Sequence, residues 1–137
     1  MKAFLDSNIL LDIVLERKPF YDNSLLVVEW CIKNASVTHI AWHSITNCFY
    51  LLRKELGAEQ TIAVLDSLLE WVEIAPTSKR IALQGIKNAG NDFEDTLQYL
   101  CAEAAKSECL ITRNPKDFKH SSVSVYTPDE FIFAYIS

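Results

Sequence analysis

Asp6, Asp92, Asp95 and Asp117, with the amides Asn47 and Asn114, are the side chains whose types and placing carry most chemistry in this chain. Carboxylates gathered at one place repel one another, and one of them takes up a proton unless a cation is present. A hard divalent ion resolves that conflict. Mg²⁺ and Mn²⁺ both prefer oxygen ligands, and Mg²⁺ usually keeps several waters. An ion bound in this way sharpens a water nucleophile and steadies charge on a phosphodiester. No His, Ser or Cys nucleophile is needed.

The elements that must position these groups follow from the apolar pattern. Residues 2–5 form a short apolar run ending in Asp6, which reads as a buried first strand. Ser7 opens a helical pattern through Ile9, Leu10, Ile13 and Val14, broken at Lys18-Pro19. A second helix is expected over about residues 21–33 and a second strand over 37–41. The next helix, 44–56, sets Ile45, Cys48, Phe49 and Leu52 toward the core, with Asn47 on a polar stripe beside His43 and Tyr50. Gly57 should cap it, and another helix should cover 59–70. A third strand at 71–75 is stopped by Pro76.

A helix over 78–87 then leads to a turn at residues 88–91. The following helix, 92–107, buries Leu97, Leu100, Cys101, Ala104 and Ala105. Strands are expected at 109–112 and 123–126. Thr127-Pro128-Asp129-Glu130 is a capping box with Pro at the first helical position, so a last short helix follows. Short apolar strands alternating with helices predict a parallel sheet covered on both faces, in one domain spanning residues 1–137. In such a sheet ligands gather beyond the carboxyl ends of the strands. Asp6 follows the first strand, Asn114 and Asp117 follow the fourth, and Asp92 and Asp95 open the helix that feeds the fourth.

Composition narrows the classes. The net charge of −5 argues against a protein that coats nucleic acid by charge alone, though not against one that touches it locally. Cys31, Cys48, Cys101 and Cys109 form no C-x-x-C pair and read as buried, reduced thiols. No run approaches the roughly 18 apolar residues of a membrane span, and no leader-like segment opens the chain, so a cytoplasmic protein is expected.

Each polar candidate has a plainer reading. Asp6 suits the N-cap of the helix after it. Asp92 and Asp95 stand at N-cap and third-position spacing, where they serve the helix end and its dipole. Asn114-Pro115 is a turn signal, and Asp117 reads equally as a solvated turn acid. Only their joint arrangement points to a site.

The opening Phe4-Leu5-Asp6-Ser7-Asn8-Ile9-Leu10-Leu11-Asp12 resembles the start of PIN domains. Asp92-Phe93-Glu94-Asp95-Thr96-Leu97-Gln98 and the later Leu110-Ile111-Thr112-Arg113-Asn114-Pro115-Lys116-Asp117-Phe118 resemble that family's second half, and Val125–Phe131 its end. The resemblance runs along the whole chain. It implies a three-layer α/β/α sandwich with a central parallel sheet, and a Mg²⁺- or Mn²⁺-dependent site that cleaves single-stranded RNA. Many bacterial relatives are VapC-type toxins of type II toxin–antitoxin pairs and commonly dimerise, so an antitoxin protein and a homodimer are implied partners. By position, Asp6 and Asp95 match the central acids, and Asn114 and Asp117 the acid region after the fourth strand. The metal set expected is Asp6, Asp95 and Asp117, with Asn114 beside them and Asp92, Asn47, Ser7 and Asn8 in support.

The chain departs from the family at Ser44-Ile45-Thr46-Asn47, where members often carry Glu at the last position. With an amide at 47 and another at 114, the site holds less negative charge, which should weaken its grip on a metal. Arg113 and Lys116, with Lys119 further off, are the cations placed to meet RNA phosphates. The resulting expectation is a metal-dependent endoribonuclease. The alternative is a weak or inactive module of the same fold that binds RNA or a protein. A phosphatase of the haloacid dehalogenase type also begins with a strand-end Asp, but wants a second Asp where Asn8 stands.

Overall fold

In the computed structural model, which describes residues 1–88, 92–119 and 121–136, the first strand, β1 (Lys2–Leu5), lies at the centre of the sheet. Its side chains alternate between faces, and both faces are dry. Ala3 and Leu5 join one core cluster and Phe4 the other. β4 (Cys109–Ile111) repeats the pattern: Cys109 and Ile111 go to the first cluster, Leu110 to the second. That double burial explains why these strands read as unbroken apolar runs. With β2 (Val37–Ile40), β3 (Glu73–Ile74) and β5 (Ser124–Tyr126), the described residues form a five-stranded sheet in the order β3-β2-β1-β4-β5. All pairings are parallel, with Phe4 opposite His39 on one side and Leu110 on the other.

Helices α1 (Ser7–Val14), α2 (Tyr21–Asn34) and α3 (Trp42–Leu69) supply Ile9, Val27, Cys31, Cys48 and Leu52 to the first core. Helices α4 (Lys79–Asn88) and α5 (Phe93–Ala104) supply Ile81, Leu100 and Cys101 to the second. The result is the expected three-layer α/β/α sandwich. After β5 comes α6 (Pro128–Phe131), followed by a π-helical turn (Ile132–Ile136). The capping box of α6 forms as read: Thr127 Oγ1 accepts from the Glu130 N–H, and the Glu130 carboxylate accepts from the Thr127 N–H. The four cysteines are buried and unpaired. No described helix is long and apolar enough to cross a membrane.

Three boundaries differ from expectation for local reasons. The helices expected on either side of Gly57 run on as α3, kinked at Gly57 itself, whose φ of 79° and ψ of 163° suit glycine. β3 is shorter than expected, because the N–H groups of Trp71 and Val72 still bond to Leu68 at the helix end. α5 stops before Lys106, which takes a positive φ of 56° while the N–H groups of Lys106 and Ser107 bond to Glu103 and Ala102. That closure usually falls to glycine, so a lysine gives no sign of it. The turn expected at 88–91 lies mostly outside the described residues; Asn88 itself ends α4. Of the tryptophans, Trp30 and Trp71 pack against the core, and Trp42 is 61% exposed.

Candidate active site

Parallel strands bring the starts of α1 and α3 to the carboxyl rim of the sheet, and α5, which returns to β4, begins there too. Asp6 stands at that rim, 6% exposed, between β1 and α1. Its own N–H bonds to the Ile111 carbonyl, which locks it beside β4. It is the backbone N-cap of α1, but its side chain caps nothing. The carboxylate instead turns to neutral donors. Thr112 Oγ1 donates to Oδ2 at 2.7 Å, Asn8 Nδ2 to the same oxygen at 3.2 Å, and Ser7 Oγ to Oδ1 at 3.5 Å. Burial pushes Asp6 up to about 6, and the nearby Glu94 charge adds to the shift; Thr112 and Ser7 oppose it.

The start of α5 contributes Asp92, Glu94 and Asp95. Asp92 caps the helix by accepting from the Asp95 N–H at 3.0 Å, as its spacing predicts. The three side chains also bring one carboxylate oxygen each within 4.8 Å of one another. Burial raises Asp95 to about 8, with Asp92 and Glu94 pushing the same way. Glu94 moves down, because His43 and Gln98 stabilise its charge more than burial penalises it. Its Oε1 lies 3.3 Å from His43 Nε2 and accepts from Gln98 Nε2 at 3.0 Å and Asn47 Nδ2 at 3.4 Å. Gln98, fully buried, also donates to Ser44 Oγ at 3.0 Å. This network fastens α5 to α3 directly over the rim.

Asn47 therefore faces the acids, as a donor to Glu94 rather than as an acid. Glu94 was not singled out by the sequence, although it sits at the junction of these contacts. Its spacing to Gln98, one helical turn on, is the signal that could have found it. Asn114 is exposed, but its N–H donates to Thr112 Oγ1 at 3.1 Å, so it borders the group that holds Asp6. Asp117 and Lys116 are exposed on the 3₁₀ turn Pro115–Phe118.

Arg113, expected to meet phosphate, has an internal partner instead. Its Nε lies 2.5 Å from Oδ2 of Asp12, a carboxylate with no exposure, and Arg17 approaches the other oxygen at 3.7 Å. The Arg113 guanidinium also lies 4.2 Å from the Phe20 ring centroid. Burial raises Asp12, and the two arginines oppose the shift. The members of this pair lie on α1 and after β4, too far apart along the chain for a local pattern to join them.

A family model described as a PIN domain matches residues 2–116. The chain belongs to the PIN domain family. A curated relative, ribonuclease VapC1 of Aquifex aeolicus, is 30% identical over 137 aligned positions, covering 95% of this chain and 92% of the relative. Among solved structures, VapBC2 from Rickettsia felis bound to a promoter DNA fragment matches this PIN domain with a TM-score of 0.70 and 22% identity, over 93% of this chain and 98% of that one. A toxin–antitoxin complex from Klebsiella pneumoniae matches with a TM-score of 0.69 and 23% identity, over 92% and 97% of the two chains. These structures share the fold of this PIN domain.

Proposed function

We propose that this PIN domain is a Mg²⁺- or Mn²⁺-dependent endoribonuclease acting on single-stranded RNA, the toxin of a type II toxin–antitoxin pair. The observation that carries the reading is the unbalanced charge at the rim. Asp6 is buried among neutral donors with the Glu94 charge near it, and Asp92, Glu94 and Asp95 crowd together, with no lysine or arginine ion pair to any of the four among the described residues. That donor set, all carboxylate oxygen, fits a hard divalent ion. The ribonuclease VapC1 of Aquifex and the toxin–antitoxin complexes among the structural neighbours support the same reading.

Asp6, Asp95 and Glu94 would hold the ion, with Asp92 at the exposed edge and Asp117 a further acid on the same side of β4. When bound, the ion supplies a water of lowered pKa and charge stabilisation at the phosphodiester. The chain's own residues supply the positioning. Thr112 and Asn8 fix one oxygen of Asp6, Ser7 steadies the other, and Gln98, Asn47 and His43 fix Glu94. Lys116, exposed beside Asn114, is available to a phosphate.

A second reading, a module that binds RNA or a protein without efficient cleavage, is favoured by the two amides. Asn47 and Asn114 stand where acids would strengthen the site. One experiment separates the two. The purified protein is incubated with Mn²⁺ or Mg²⁺ and a pool of single-stranded RNAs, beside Asp6→Asn. Metal-dependent cleavage lost in Asp6→Asn is the expected result. Absent cleavage, or cleavage that survives the substitution, overturns the enzyme reading.

A further inference from the structure

A second feature lies on the same carboxyl rim, on the β4–β5 side of Asp6. It is a pocket of about 350 Å³ lined by Pro19, Phe20, Asn23, Arg113, Thr127 and Asp129, among others. Its volume falls within the range of small-molecule sites. Phe20 is 39% exposed, a large apolar ring left partly open beside a guanidinium plane. The edges carry an amide and a carboxylate, Asn23 and Asp129, which pair with one another.

The walls are fixed. The capping box ties Thr127 to Glu130, and Arg113 is anchored on the buried Asp12. Arg113 also connects the pocket to the acids. Its backbone N–H donates to Asn8 Oδ1 at 3.5 Å, and the Asn8 amide donates to Asp6. A ligand seated on Phe20 and Arg113 is therefore held in register with Asp6 through one residue.

Charge decides what that ligand is. Arg113 and Arg17 share the Asp12 carboxylate, and the other charged lining residue, Asp129, is an acid, so these four groups carry no net charge. A phosphate gains no net attraction there and faces the Asp129 carboxylate. A planar ring bearing amino or imino donors needs no net charge. Single-stranded RNA is held by stacking its bases on aromatic and guanidinium planes, while side-chain amides and carboxylates read the base edges.

We infer that this pocket seats a nucleobase of the RNA strand whose phosphodiester lies at Asp6, stacked on Phe20 and Arg113 and read by Asn23 and Asp129. The inference rests on the ribonuclease reading and assigns that site a substrate-selecting pocket.

The test uses a single-stranded RNA with one mapped cut, and a set in which each nucleotide flanking the cut is made abasic in turn. Wild type, Phe20→Ala, Asn23→Ala and Asp6→Asn are compared with Mn²⁺. Phe20→Ala should lower kcat/KM on intact RNA about tenfold, chiefly through KM, as expected for one lost stack. One abasic position should impose the same loss on wild type and add nothing in Phe20→Ala. Asn23→Ala should change which base is preferred at that position. Melting curves of the variants report on folding, and Phe20 is exposed enough to be replaced without a core cavity.

Losses from Phe20→Ala and from every abasic position that multiply independently overturn the pocket. So does cutting at the wild-type rate and preference by both pocket variants. If Asp6-dependent cleavage persists in those cases, the ribonuclease reading stands and only the pocket fails. If wild type does not cut, or Asp6→Asn cuts normally, both fail together.

Discussion

Helix α1 and the residue before it carry two buried carboxylates, Asp6 and Asp12, with opposite arrangements around them. Asp12 has no exposure and is matched by Arg113 and Arg17 from within the chain. Asp6 is nearly as buried, and its partners Thr112, Asn8 and Ser7 are all neutral. A buried charge needs a counter-charge or it takes up a proton. The fold provides the counter-charge for Asp12 and omits it for Asp6. On the proposed function, Asp12 carries a charge that holds the structure together and Asp6 one kept for an outside cation.

The sharpest break in that comparison is Asp6→Asn. The amide keeps the shape and removes the charge, so RNA cleavage should fall by more than about 100-fold, beyond the loss usual for an outer supporting group. The same substitution should leave the metal-free protein at least as stable, read as an equal or higher Tm, because it removes an unbalanced buried charge. A clear drop in Tm would mean that Asp6 is structural after all.

Asp12→Ala should do the reverse. It strands Arg113 against Phe20 without its partner, and unfolding titrations should show a loss of about 3 kcal/mol. A loss near zero would show that the two arginines do not need Asp12.

The pH dependence of stability compares the two regions in one molecule. Asp6 and Asp95 are raised to about 6 and about 8. Between about pH 4 and pH 8 these two groups therefore bind more protons in the folded chain than in the unfolded one, while His39, lowered by burial, acts the other way. Metal-free stability should fall as pH rises through that window and level off above it. Glu94, held low by His43, acts oppositely, but only below the ordinary carboxylate range. Mn²⁺ should flatten the fall by a few degrees of Tm at pH 8. A metal-free Tm that climbs from pH 5 to pH 8 would contradict the assignment.

The smallest change expected is from Asn47→Asp. It exchanges a donor to Glu94 for a further acid. Divalent affinity should rise about tenfold, with some loss of metal-free stability from added repulsion. Unchanged affinity would place residue 47 outside the site.

How much of this was legible in the sequence depended on distance along the chain. β1, Asp6 and the Thr127–Glu130 box are local patterns, and each was read directly from neighbouring residues. Two dry faces gave the strands their apolar runs and so gave away the parallel sheet. Glu94 was hidden because an acid in the first turn of a helix is ordinary. Only the packing of α3 on α5, through Ser44 and Gln98, shows what it faces. Arg113 looked like a phosphate ligand because its partner Asp12, on α1, reads in sequence as another polar position of an amphipathic helix. The Lys106 closure of α5 was missed because the backbone there overrides residue preference.

Calorimetric titration of Mn²⁺ into wild type and Asp6→Asn at pH 7, in two buffers of different ionisation enthalpy, tests the central claim most directly. The account predicts binding by wild type with release of a proton, since Asp95 gives one up as the ion arrives, and binding lost or weakened at least tenfold in Asp6→Asn. Mg²⁺ should bind more weakly than micromolar. No binding by wild type, or equal binding by Asp6→Asn, would show that the charge at Asp6 is not there for a cation.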